Sequence, residues 1–319
     1  MHYSLHLKPE EPSSPRRFRG RHVTAGAAVR ACVILSFLLH GKLQAQSDSG
    51  LRGELAGVGG GATLAPPPIP IGGITPPPQA VSAGYKSLAF DDEFSVLNLA
   101  PSPISSANHN WYPGIWFEYP APPASLITMA SSDLNLEWSR SSSHATGLTD
   151  TTVSGESANA SAGRSFRYGY FEASMKWNPT TGAWPAFWMQ PVQALEGSQT
   201  QGEIDIFEGQ GGDPTYYGTL HTWSGASGTW YSMPNNFSLP RGNNFNTWHT
   251  YGMLWTPGTV SWYYDNVKVG SASTTSIFDQ ENFFLLLSMQ EGANWTNGDL
   301  TGVTANTMDL YVHWVRVWQ

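Results

Sequence analysis

The chain has 319 residues, and 7 of its 16 Lys and Arg lie before residue 46. From residue 46 onward, 9 Lys and Arg face 22 Asp and Glu, a net charge of −13, so the basic surface that nucleic acid needs is missing. Length allows one large domain or two small ones, but all 14 Trp fall between Trp111 and Trp318, which points to one aromatic-rich domain behind a different kind of N-terminus.

That N-terminus has the order of an export signal. Arg16, Arg17, Arg19, Arg21 and Arg30 precede the apolar run 31–39, and Leu43-Gln44-Ala45 ends in a small residue suited to cleavage. The run is too short for a stable membrane-spanning helix. Residues 1–45 are therefore expected to be removed from a secreted protein, extracellular or periplasmic, with no stable membrane association afterwards. The single cysteine, Cys32, lies inside the apolar run, so the exported domain has no disulfide and depends on its core. Residues 46–83 are rich in Gly and Pro, with runs at 59–61, 66–68 and 76–78. Such a composition buries too little apolar surface to fold and reads as a linker, although Ile69, Ile71 and Ile74 could dock on the domain that begins at Gly84.

From Gly84 to Gln319, short runs of Val, Tyr, Trp and Phe recur between turn clusters, and no long segment keeps a helical period. Strands are expected at 168–177, 260–265, 283–287 and 310–318. Asp265-Asn266 is a hairpin turn into Val267-Lys268-Val269. Many strands with regular turn signals favour an all-β sandwich of two antiparallel sheets.

One segment carries chemistry. Gly202-Glu203-Ile204-Asp205-Ile206-Phe207-Glu208-Gly209 sets three carboxylates in an otherwise apolar strand. Glu203 and Asp205 share one face by the period of two, with Ile204 and Ile206 on the other. Glu208 breaks parity, so it joins the first two acids only if a β-bulge absorbs one residue around Ile206-Phe207. Glu203 and Glu208 would then stand roughly 13 Å apart at Cα. Two Glu side chains leaning together can close that to the roughly 5 Å carboxyl separation of retaining glycosidases. Trp184 and Trp188 upstream, and His221 and Trp223 downstream, flank the acids. Sugars offer apolar faces to aromatic rings and hydroxyls to polar groups, so these four are candidate substrate-binding residues.

Glu203-Ile204-Asp205-Ile206-Phe207-Glu208 resembles the E-x-D-x-x-E signature of glycoside hydrolase family 16, the laminarinase and agarase group of endo-glycanases. The resemblance extends over 166–172, 184–188, 248–255 and 312–317, nearly the whole domain. It implies a concanavalin A-like β-jelly roll with a concave cleft. By matching position it also implies Glu203 as nucleophile, Glu208 as general acid/base, Asp205 as the auxiliary residue between them, and Trp184, Trp188 and His221 in the central subsites. Asp205 is expected to share a hydrogen bond with Glu203. No cofactor is expected. Relatives often carry Asp at His313, where it helps hold a structural calcium, so no metal ligand is assigned here. Ser288 and Glu291-Gly292-Ala293 also depart from the family pattern at the cleft edge.

The expected protein is a monomeric, retaining endo-hydrolase of a β-linked polysaccharide, a β-1,3- or mixed-linkage glucan or a related exopolysaccharide. A lectin on the same sandwich would bind without cutting. A transglycosylase would share the covalent intermediate and differ only in the acceptor.

Overall fold

A computed structural model describes residues 74–99, 109–115, 123–142, 146–150, 165–195, 200–224, 227–232, 237–238, 245–293, 296–297 and 299–319. The expected export signal at 1–45 and residues 46–73 of the Gly/Pro-rich stretch lie outside the described residues.

A short helix, α1 (Pro78–Ala83), precedes strands β1 (Leu88–Asp92), β2 (Trp111–Pro113), β3 (Ile127–Ala130), β4 (Asp133–Ser139), β5 (Thr146–Asp150) and β6 (Gly169–Trp177). Then come β7 (Ala183–Pro191), the turn of helix α2 (Val192–Leu195), β8 (Thr200–Glu208), β9 (Thr215–Ser224), β10 (Ser227–Ser232) and β11 (Phe237–Ser238). The chain closes with β12 (His249–Thr256), β13 (Thr259–Tyr264), β14 (Val267–Ser273), α3 (Ser276–Asp279), β15 (Phe283–Ala293), β16 (Thr296–Asn297) and β17 (Thr307–Trp318).

The strands form two antiparallel sheets, the jelly-roll-like sandwich expected. One runs β14-β13-β12-β6-β17-β4-β3 with β1 added to β17; the other runs β10-β9-β8-β7-β15-β5-β2 with β11 on β9 and β16 on β15. Alternation decides what fills the space between them. From β6 come Phe171, Ala173, Met175 and Trp177; from β7, Ala183, Phe187 and Met189; from β15, Phe283, Leu285, Leu287 and Met289. Phe207 of β8 crosses the interface, its ring centroid 5.1 Å from Trp177 and 4.2 Å from Tyr251 on the facing sheet. Fully burying one such side chain stabilises by about 1.5–3 kcal/mol. The β13–β14 hairpin turns at Asp265 and Asn266, both at positive φ, as a two-residue turn matching the strand twist requires.

The linker reading needs correction at its end. Pro78–Ala83 is helical, and Ala80, fully buried, packs with Tyr170 and Trp318 while Ile74 and Tyr85 lean on the same cluster. Gln79 Nε2 donates to the Tyr170 hydroxyl at 2.7 Å and to Asn266 Oδ1 at 2.9 Å. Composition pointed to a linker, but Ala80 in the Tyr170–Trp318 cluster and the two Gln79 bonds dock this turn on the eight-stranded sheet.

Candidate active site

The site lies on the face of the nine-stranded sheet turned away from the core, and β8 builds it. Ile204, Ile206 and Phe207 are all fully buried in the core. Two successive residues cannot both point inward on a regular strand, so the strand bulges. Against β7, Trp188 pairs with Asp205 and Phe187 with Phe207, passing over Ile206. Against β9, Asp205 pairs with Thr219 and Glu208 with Tyr217, three residues against two. The expected bulge is therefore present at Ile206-Phe207, and it returns Glu208 to the face of Glu203 and Asp205.

A bulge breaks the ladder and leaves carbonyls to be satisfied. Two core side chains do this: Trp262 Nε1 donates to Asp205 O at 2.9 Å, and the Tyr216 hydroxyl to Ile206 O at 2.7 Å. Gly218 makes room for the indole, since a Cβ there would stand 2.5 Å from Trp262 Nε1.

Cross-strand rows place the neighbours of each acid. Glu203 lies opposite His221 on β9, and Asp205 lies between Trp188 and Thr219. Glu208 lies between Ala186 and Tyr217. His221 Nε2 stands 2.8 Å from Asp205 Oδ2 and 3.7 Å from Glu203 Oε1. Trp184 Nε1 donates to Glu208 Oε1 at 2.8 Å. Gln190 Nε2 donates to Glu203 Oε2, and a Trp223 hydrogen bond also favours the ionised form of Glu203.

Asp205 hydrogen-bonds Glu208, and it acts on Glu203 through its charge. The bulge swings Glu208 alongside Asp205, while Glu203 is engaged by donors from the two adjacent strands.

Burial raises all three carboxyls, each to about 8. The charge of Asp205 pushes Glu203 and Glu208 further up, and His221 opposes both. Two carboxyl groups can hydrogen-bond only when one carries a proton. The Asp205–Glu208 bond lowers Asp205 and raises Glu208, which favours the shared proton on Glu208. The cluster titrates as one set.

The four flanking candidates separate. Trp184, His221 and Trp223 are partly exposed beside the acids, and the His221 and Trp223 rings stack at 5.4 Å. Trp188 shares their face but is only 6% exposed, packed with Ile115, Val192, Phe284 and Leu286 and donating to Ser288 Oγ at 3.2 Å. It supports the site from beneath. Gln190 was not singled out from sequence; an amide at an outward position of an otherwise apolar strand was the available signal. Among the described residues Trp111, Trp138, Trp177, Trp255, Trp262 and Trp318 are almost wholly buried and serve packing.

Glu203, Asp205 and His221 bring one potential ligand atom each within 4.8 Å of one another. Those groups are engaged with one another and with Gln190 and Trp223, so the set is described as a hydrogen-bonded acid cluster. On the other sheet, His313 Nδ1 lies 2.7 Å from Asp133 Oδ1. Calcium takes hard oxygen ligands, and an imidazole paired with the nearby carboxylate does not fit it.

A family model described as glycosyl hydrolases family 16 matches residues 129–311. Over 120 residues the chain is 34% identical to the endo-1,3-1,4-beta-glycanase ExsH of Rhizobium meliloti (strain 1021), covering 37% of this chain and 24% of that protein. It is 29% identical over 173 residues to the glucan endo-1,3-beta-glucosidase A1 of Niallia circulans, covering 49% and 25% respectively. The chain thus spans about a quarter of the length of these relatives. The catalytic domain of an endo-1,3-beta-glucanase (laminarinase) from Thermotoga petrophila RKU-1 has the same fold, with a TM-score of 0.53 at 23% identity over 73% of this chain and 97% of that one.

Proposed function

The chain belongs to glycosyl hydrolase family 16, and from that premise we propose that it is an exported, retaining endo-hydrolase of a β-1,3- or mixed-linkage glucan. Glu203 is the nucleophile, Glu208 the general acid/base and Asp205 the auxiliary residue, with Trp184, His221 and Trp223 facing the sugar. The observation that carries this reading is the unequal surroundings of the two Glu side chains. Glu203 receives donors from Gln190 and Trp223, which favour a charged, attacking carboxylate. Glu208 shares a proton with Asp205, which suits a donor.

In the first step a Glu203 oxygen attacks the anomeric carbon, the glycosidic bond breaks, and the leaving oxygen takes the Glu208 proton. In the second, Glu208 removes a proton from water, the water oxygen bonds to the anomeric carbon, and Glu203 departs as carboxylate. Asp205 stays bonded to Glu208, and His221 Nε2, 2.8 Å from Asp205 Oδ2, holds Asp205 in place. The names of the curated relatives support a β-glucan as substrate. With 9 basic residues after residue 45, a neutral polymer suits the chain better than a sulfated one.

A panel of neutral and sulfated polysaccharides with product sizing tests the reading. Falling polymer length on laminarin-type or mixed-linkage glucans, with first products of retained anomeric configuration by proton NMR, is the expected result. Binding without cleavage would make the protein a lectin, and an inverted first product would remove Glu203 as nucleophile.

A further inference from the structure

We propose that Gln190 is the positioning residue of the nucleophile, a neutral donor that favours the ionised form of the Glu203 carboxylate over the protonated one and aims it; this rests on the reading of Glu203 as the attacking group. Gln190 lies on β7, one position beyond the Met189–Ile204 pair and therefore directly across from Glu203. Its outward-facing neighbours on that strand are Trp184, Ala186 and Trp188. A buried amide costs free energy unless its polar atoms are bonded, and Gln190 is 2% exposed. Its Nε2 donates to Glu203 Oε2, whereas its Oε1 has no hydrogen-bond partner among the described residues. The side chain thus leaves its own acceptor unmet while serving the carboxylate.

Chemistry restricts the amide to one orientation. In the ionised form that attacks, the Glu203 carboxylate only accepts, so the NH2 end faces it there; the reversed amide would oppose two acceptors. Phe284, fully buried, pairs with Gln190 from β15 and limits its movement.

The groups facing Glu203 make a neutral donor necessary. Asp205 and Glu208 on its own strand repel its charge, and His221 on β9 stands nearer Asp205 than Glu203. Trp223 supplies one hydrogen bond. Gln190, from β7, supplies the other without adding a cation that would hold the carboxylate back from attack.

Gln190→Met keeps length and volume and removes the donor, and Gln190→Glu keeps the shape and adds a fourth carboxyl. The Glu203 carboxyl is titrated by carbon NMR in the wild type and both variants, next to melting curves and pH–rate profiles. In Gln190→Met the Glu203 titration and the acid limb of kcat/KM should both move up by about one pH unit, and kcat should fall about ten- to a hundredfold with KM little changed. Gln190→Glu should move both further up. A merely structural role would lower the melting temperature and leave the titration in place, which overturns the proposal. If Gln190→Met does not fold, Gln190→Glu decides, since an unmoved Glu203 titration there also overturns it. The titration separates the two levels. A wild type that cleaves glucan with Glu203 unmoved in the variants sinks this proposal alone. A wild type that cleaves nothing while the titration moves sinks the functional reading and leaves the Gln190 contact standing.

Discussion

Trp262, on the sheet opposite the acid cluster, donates its indole N–H through the core to the backbone carbonyl of Asp205 at 2.9 Å. This bond satisfies a carbonyl that the β8 bulge takes out of the ladder, so the packing of one sheet is tied to the placement of the acids on the other. Trp262→Phe keeps an aromatic ring in the core, removes the indole N–H with part of the volume, and leaves that carbonyl unmet. It should lower unfolding free energy by about 1–3 kcal/mol and reduce kcat, because the bulge that presents Glu208 is no longer pinned. Urea denaturation and steady-state kinetics read both. Gly218→Ala, whose Cβ would meet Trp262 Nε1 at 2.5 Å, should act in the same direction, and unchanged kcat in both variants would separate the indole from the site.

The two Glu residues should fail in different ways. Glu203→Ala should abolish turnover of every glycan while polysaccharide binding remains. Added azide should then give a product of inverted configuration. Glu208→Gln should still form the intermediate from a dinitrophenyl glycoside, whose leaving group needs no proton, and then stall. Azide should restore turnover there with retained configuration. Retained product from Glu203→Ala with azide would mean the roles are exchanged.

Stability should fall as pH rises through the neutral range. The cluster carboxyls are raised by burial to about 8 in the folded chain, whereas unfolded Asp and Glu titrate near about 4. Between those values the native state holds a proton that unfolding releases, so stability is greatest below the lower value, declines as pH rises, and levels off above about 8. Glu203→Gln removes one repelling charge. A carboxyl that titrates one pH unit higher when folded costs about 1.4 kcal/mol once ionised, so the substitution should raise the melting temperature at pH 8 by about 3 °C or more and flatten the decline. Melting curves at pH 5, 6.5 and 8 check this.

Helix α1 belongs to the folded domain, so where the chain is cut matters. A chain starting at Ile74 should keep the full melting temperature. One starting at Gly84 loses Ala80 from the Tyr170–Trp318 cluster and both Gln79 bonds. It should melt several degrees lower, at roughly 2–4 °C per kcal/mol lost, with kcat at low temperature unchanged because α1 sits on the sheet away from the acids. A lower kcat in the folded shorter chain would couple the arm to the site.

Much of this was written in the order of residues along the chain. The alternation in β6 and β8, the Asp265-Asn266 turn and the adjacent apolar pair Ile206-Phe207 are local signals. The parity break at Glu208 made a bulge around Ile206-Phe207 the condition for the third acid to join the other two before any strand had a neighbour. Local periodicity put Glu203 and Asp205 on one surface, with Glu208 beside them on that condition. It could not say what stands beside them. Gln190, Trp184, His221 and Trp223 reach the acids across strand pairings, and Trp262 reaches Asp205 from the other sheet, 57 residues along the chain. Such contacts depend on which strands become neighbours and on register, which a period of two does not encode. The same limit hid the docking of α1, the covering of Trp188 and the bond between Asp205 and Glu208. An indole serves equally well in a core or a cleft, and a carboxyl bonds whichever group the backbone brings within reach, so the residue types set what chemistry was possible and the packing of the two sheets decided which groups carry it out.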